Sequence, residues 1–173
     1  MDKLKITAPA PVPEPGWTPL VKFPNFGEGK SFLSQDTENN RVRIAYFARE
    51  ADNVLCAKVW FGWTAEGPPG HAHGGSILAV FDESMGMATW LADYLTVAAS
   101  VTANFKRKVP LGTDVTLEAC VRSVERRKVF TEAKLYHSQE GYIFAEAEGL
   151  FVMQTIEQFG VKEKMRNEFQ GHQ

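Results

Sequence analysis

Gly67-Pro-Pro-Gly-His-Ala-His-Gly-Gly-Ser-Ile-Leu-Ala-Val-Phe-Asp-Glu-Ser-Met-Gly-Met-Ala88 joins a stiff turn to a helix that is apolar on nearly every side. The Pro/Gly turn delivers His73 and the pair Gly74-Gly75 to the start of that helix, which is expected to run from about Gly75 to Asp93. Helix starts expose unpaired N–H groups and the positive end of the macrodipole, so Gly74-Gly75 offers a site for a polarised carbonyl or an oxyanion. Two turns further on the helix carries Asp82. A carboxylate buried in such a helix is costly unless it has a partner or a task. A carbonyl-polarising helix start followed by a buried acid points to acyl chemistry.

Strand patterns surround the helix. Arg41–Phe47 alternates, with Val42, Ile44 and Tyr46 on one face, and Asn53–Phe61 follows after a Glu50-Ala-Asp-Asn53 turn. After the helix come Val97–Lys108, Thr113–Glu125, Val129–His137 and Tyr142–Met153. The short breaks between them are those of an antiparallel meander. A helix apolar on nearly every side must be covered over most of its surface, and a curling sheet is the available cover. A face left open would meet a second copy of the chain.

Outside this block, residues 1–40 read as a proline-rich arm and a packed loop, with five of the nine prolines between Pro9 and Pro19. Residues 41–155 form the main domain, and 156–173 a polar amphipathic helix and tail. The 173 residues fit one domain. A net charge of −2 gives no reason to expect nucleic acid or an anionic membrane as partner. Asp82 and Glu83 interrupt the only apolar run of any length, and Met1-Asp-Lys-Leu-Lys5 leads into prolines without a signal-peptide pattern. A soluble, cytoplasmic setting is therefore expected, with Cys56 and Cys120 as buried thiols in strands.

Spacing gives the helix a second meaning. Gly75 and Asp82 are seven residues apart, on nearly the same face, and roughly 10 Å apart along the axis at a rise of 1.5 Å per residue. One carbonyl cannot touch both within a single chain. Two such helices packed antiparallel about a twofold axis would bring Asp82 of one beside Gly75 of the other, giving a site shared across a homodimer and used twice.

Each candidate has a plainer reading. Asp82 can be a structural carboxylate bonded to backbone or to a basic group, and Glu83 a solvent or interface residue. His73 can position the loop or help bind the acyl group. His71-Ala-His73 resembles half a metal site, but no further ligands stand at metal-like spacing, so no metal is expected. No G-x-S-x-G elbow, Walker loop or G-x-G-x-x-G after a strand is present, which puts the burden on a carboxylate. Two basic groups, Phe105-Lys-Arg-Lys108 and Glu125-Arg-Arg-Lys128, could line one phosphate-binding rim or be solvated turns. Phe81, Met85, Trp90 and Trp60 could line an acyl pocket, or be ordinary core.

Gly67-Pro-Pro-Gly-x-Ala-His-Gly-Gly, Asp82 nine residues after His73, Asn104-Phe-Lys-Arg107, Pro110-Leu111 and Glu125-x-Arg-Lys128 together resemble the hotdog-fold acyl-CoA thioesterases. The similarity is to their PaaI-like branch, the thioesterase superfamily member 4 type, and covers about Arg41 to Met153. It implies an α+β hotdog fold, in which a long central helix is wrapped by a five- to six-stranded antiparallel sheet, paired into homodimers and in some members tetramers. By the same resemblance the acid at Asp82 is nucleophile or general base. The Gly75 N–H polarises the thioester carbonyl beside Gly74, and His73 supports it. Asn104, Lys106, Arg127 and Lys128 match coenzyme A contacts. The substrate is then an acyl-CoA, and no separate cofactor is implied.

Two departures bear on activity. Ala98 stands where the family often has Ser or Thr, although Thr96, Ser100 and Thr102 are expected on the same strand face as possible substitutes. Gly67 stands where some relatives carry a side-chain amide. The rival readings are a non-catalytic acyl-CoA-binding hotdog protein and a hotdog dehydratase. The second is disfavoured by a helix without histidine.

Overall fold

The computed structural model describes residues 8, 10–20, 33, 41–155 and 158. Among these residues seven antiparallel strands form one sheet around one long helix. The strands are β1 (Trp17–Pro19), β2 (Val42–Arg49), β3 (Val54–Phe61), β4 (Thr96–Phe105), β5 (Val115–Glu125), β6 (Lys128–His137) and β7 (Ile143–Met153), and the helix is α1 (Gly74–Leu91). A 3₁₀ turn at Trp63–Ala65 precedes the Pro/Gly turn. The six long strands and the helix stand within a few residues of the positions their sequence patterns indicate. β1 is additional, a three-residue edge piece paired with β2. The expected helix from 156 onward lies outside the described residues.

The sheet order is β1-β2-β3-β5-β6-β7-β4, which corrects the expectation of a simple meander. β5, β6 and β7 are hairpin-connected neighbours, but β4 lies beyond β7 and not beside β5. The Val109–Gly112 break is therefore a crossing from the edge strand β4 to β5 in the middle of the sheet. It is held by Ala72 N–H donating to the Val109 carbonyl, and Gly112 N–H to that of Phe61. Among the described residues β4 is left as a strand with one paired side.

Alternation sorts the strand residues into a face toward α1 and a face away from it. Ala57, Val59, Leu117, Leu135, Phe144 and Phe151 are buried in the core with Ile77, Val80, Phe81, Met85 and Ala88 of the helix. The helix lies close against β7. A Cβ on Gly149 would fall 2.5 Å from Thr131 Oγ1, 2.7 Å from the Phe151 ring and 3.1 Å from Met85 Sδ. Phe81 and Met85 are thus fully buried core, and Trp60 lies on the sheet face away from the helix, paired with Arg43. Neither placement suits an acyl pocket beside Asp82.

The described part of the proline-rich arm, Ala10–Glu14, lies against Arg43, Lys58 and Trp60 on the outer face of β2 and β3. Lys58 is 8% exposed because Glu14 reaches it from the arm. Its Nζ donates to Glu14 Oε1 at 2.5 Å and to Thr116 Oγ1 at 3.2 Å, and lies 5.4 Å from the Trp17 ring centre. Cys56 is buried and Cys120 half-buried, both as free thiols. Burial raises the Cys56 thiol to about 12.

Candidate active site

The helix start is built by the turn that precedes it. Glu66 and Ala72 form a β-bridge, Gly67 N–H donates to the His71 carbonyl, and His71 Nδ1 lies 2.8 Å from the Pro69 carbonyl. His71 is thereby part of the turn, and among the described residues no group of side chains is arranged to hold a metal. His73 is the N-cap of α1, its Nδ1 accepting from Gly75 N–H at 2.8 Å and its carbonyl from the Ser76 and Ile77 N–H groups. The Gly75 amide expected to polarise a carbonyl is engaged by the cap. Among the described residues the Gly74 N–H has no partner, so it is the amide this helix start holds out.

Asp82 is exposed in the single chain, not buried as the sequence suggests. Gly75, Leu78 and Asp82 fall along the one stripe of α1 that the sheet leaves open. Among the described residues the Asp82 carboxylate makes no hydrogen bond or ion pair. Partial desolvation by its surroundings pushes its carboxyl above the ordinary value. Glu83 turns to the flank and accepts from Tyr46 Oη at 3.0 Å, so its place is a half-buried hydrogen bond. Burial and the adjacent Glu83 charge hold Tyr46 protonated, with its pKa well above the usual tyrosine value.

β4 borders the open stripe. Phe105, 53% exposed, sits at the helix start, where a Cβ on Gly74 would be 3.6 Å from its ring. A bulge between Ala98 and Ser100 changes which β4 residues face α1. Ala98 pairs with Phe151 and Val101 with Gly149, both on the helix side, whereas Ser100 pairs with Leu150 and Thr102 with Glu148 on the outer side. The expectation that Thr96, Ser100 and Thr102 share a face is therefore overturned by one inserted residue, Ala99. Thr96 alone keeps the face of Ala98, and its hydroxyl is buried at 2.7 Å from that of Thr89.

The basic candidates are not gathered on one rim in a single chain. Asn104 faces outward into a groove of about 500 Å³ shared with Glu118, Glu132, Glu146 and Glu148. Lys106 pairs with Glu146 at 3.2 Å. Lys128 is aligned through Val152 with Val97, at the other end of β4. At about 3.3 Å per strand residue the two clusters are roughly 25 Å apart. Arg127 is committed to structure, its Nε and Nη2 donating to the Met153 carbonyl at 3.3 and 2.9 Å. That tie was invisible in the sequence, where nothing links residue 127 to 153. Arg107, of the first basic group, stacks 5.2 Å from the Tyr142 ring.

A long helix in the curl of an antiparallel sheet is the hotdog arrangement. Comparison with known proteins places the likeness more narrowly. Residues 69–144 match the model of the thioesterase superfamily. Acyl-coenzyme A thioesterase THEM4 of Xenopus laevis is 28% identical over 125 residues, which are 71% of this chain and 56% of that protein. Acyl-coenzyme A thioesterase THEM5 of Homo sapiens is 28% identical over 93 residues, 54% of this chain and 38% of that protein. The chain thus spans only about half, or less, of the length of these curated relatives. A crystallised thioesterase superfamily protein is 28% identical with a TM-score of 0.57, covering 64% of this chain and 53% of its own. The PaaI protein of E. coli shares the fold at 17% identity and a TM-score of 0.58, covering 66% of this chain and 80% of its own. The chain resembles the hotdog acyl-CoA thioesterases in its motifs and its fold. Among the described residues, no helix is long and apolar enough to cross a membrane.

Proposed function

We propose that this chain hydrolyses acyl-CoA thioesters to the free acid and coenzyme A, as a homodimer whose two sites each draw on both subunits. The observation that carries the reading is Asp82, a carboxylate without a partner among the described residues, on the uncovered stripe of α1 that begins at the helix start. The names of the curated relatives supply the substrate class. The open edge of β4 and the exposure of Leu78 (37%), Val97 (43%) and Phe105 (53%) supply the surface for a second copy.

Two β4 strands paired antiparallel about a twofold axis set the Thr96 end of one beside the Phe105 end of the other. The two α1 helices then also run antiparallel, and Asp82 of one subunit approaches the helix start of its partner. The thioester oxygen accepts from the Gly74 N–H, with the Gly75 N–H joining only if His73 turns aside. Asp82 takes a proton from water as the water oxygen bonds to the carbonyl carbon, or attacks that carbon itself and is then released by water. In either route the C–S bond breaks and the departing thiolate takes up a proton. Asn104 and Lys106 of one subunit and Lys128 of the other come to the same end of the joined sheet, within reach of one coenzyme A.

One observation favours a second reading. No β4 hydroxyl except the buried Thr96 faces α1, so nothing on that strand orients a water for Asp82. A chain that binds acyl-CoA without turning it over would look the same. Thiol release from short, medium, long and aromatic acyl-CoAs, with Asp82→Asn beside the wild type, separates the two. Hydrolysis lost in the variant establishes the thioesterase, whereas equal acyl-CoA affinity in both proteins with no turnover by either establishes the binding protein.

A further inference from the structure

On the face turned away from α1, the arm and the sheet enclose a cavity of about 250 Å³. Strand register sets its floor. Arg43 and Trp60 are partners across β2 and β3, and Lys58 stands two residues before Trp60, so all three side chains share the outer face. The arm is its roof, where Pro11, Val12 and Pro13 give an apolar wall.

The three floor residues differ in what they have bonded. Lys58, 8% exposed, is satisfied, its Nζ donating to Glu14 Oε1 and Thr116 Oγ1. Trp60 is 4% exposed, and its buried Nε1–H has no acceptor among the described residues. An unmet donor in such a place is destabilising and asks for a reason. Arg43 has no ion pair among the described residues, and its guanidinium makes only a long donation of 3.4 Å to the Ala8 carbonyl. A cation and a neutral donor thus stand side by side, both short of acceptors. One carboxylate answers both, since its two oxygens can accept from a guanidinium and from an N–H together. A dianion fits worse, because Glu14 and Asp114 also border the cavity and would repel it. The proline and valine wall suits a short apolar tail.

We propose that this cavity binds a small monocarboxylate, whose oxygens take the Arg43 guanidinium and the Trp60 Nε1–H while its apolar end meets the arm. Glu14, tied to Lys58, fastens the roof over it. The sheet stands between this site and α1, so the inference does not rest on the thioesterase reading.

Butyrate is the probe, added to the full chain while the indole N–H signals are followed by NMR. The Trp60 signal is assigned by its loss in Trp60→Phe. The Nε1–H lies under cover, so its bond forms with a small movement of the indole or the arm, which that signal reports. It should shift and saturate with a dissociation constant of about 1 mM, as suits a ligand of so few atoms. Arg43→Gln, shown to be folded by its other indole signals, should bind about tenfold or more weakly, the scale of one charge-assisted hydrogen bond. Butyramide, of the same shape without the charge, should bind less tightly than butyrate by a similar factor. A Trp60 signal unmoved by butyrate up to about 50 mM overturns the site. An equal response to butyramide or to inorganic phosphate overturns the choice of a carboxylate. Undiminished affinity in Arg43→Gln overturns the part given to the guanidinium, and the wild-type titrations stand without that variant.

Discussion

The face of α1 that meets the sheet and the face that does not are built on opposite terms. On the covered face Ile77, Val80, Phe81, Met85 and Ala88 are buried, and the fit against β7 is so close that Gly149 has no room for a methyl group. On the open face Gly75, Leu78 and Asp82 are exposed, and the carboxylate has nothing to bond to among the described residues. The first face holds the chain folded, because burial of apolar area is the dominant favourable contribution. The second is the face that the proposed function gives to a substrate and a second copy. On the proposed reading stability and chemistry are divided between two sides of one helix, and substitutions on the two sides should have separable effects.

The largest effect expected is on the open face. Asp82→Asn should lower acyl-CoA hydrolysis by roughly 10²–10⁴-fold, the range for loss of a general base. Its melting temperature should not fall, since the side chain contacts nothing that the fold uses. A steady-state assay beside a thermal melt checks both halves. A variant that is inactive and also much less stable would erase the division between the faces.

Next in size is Leu78→Glu, one turn before Asp82 on the same stripe. Burying a leucine side chain contributes about 1.5–3 kcal/mol, and a twofold interface counts it twice. The dimer dissociation constant should therefore rise by about two orders of magnitude or more. Sedimentation at micromolar concentration should show monomers, with activity falling in proportion to the dimer lost. Monomers that retain full activity would show that the site is complete within one chain.

The covered face answers in stability alone. Gly149→Ala should cost about 1–3 kcal/mol, as overpacking of a tight core does, because its Cβ would collide with Thr131, Phe151 and Met85. Denaturant melts measure the loss, and turnover per folded molecule should be unchanged.

How much of this was readable in advance follows the range over which each feature is decided. The strands and α1 come from local alternation and turn residues, and Val54–Phe61 and Val115–Glu125 fall where the pattern puts them. The place of β4 does not, because its neighbour β7 lies some forty residues further along the chain. Ala98-Ala-Ser100 hides its bulge, since three small residues in a row show no alternation to break. His73, Gly74 and Asp82 were legible because a helix start and an acid within an apolar helix are local signals. The capping of Gly75 by His73, the Glu83–Tyr46 bond and the Arg127–Met153 tie were not. Each depends on where a side chain lies in the folded chain, which residue type alone does not settle.

The smallest effect separates the two faces by pH. Desolvation raises the Asp82 carboxyl above its ordinary value, so the folded chain holds that proton more tightly than the unfolded chain does. Between the unfolded value and the raised one, the native state binds more protons than the unfolded state. Stability must then fall slightly as pH rises through that window, and the contribution is present only below it. Hydrolysis runs the other way, because only the ionised carboxylate can take a proton or attack a carbonyl. As pH falls through the raised value of Asp82, the chain should lose activity while gaining a little stability. In Asp82→Asn the stability change in that window should vanish, leaving the melting curve flatter there than in wild type. A pH–rate profile and melting temperatures across the same buffers decide it. Activity and stability falling together on the acid side, in both proteins alike, would mean that another group controls the titration and that the open face is not where the chemistry is set.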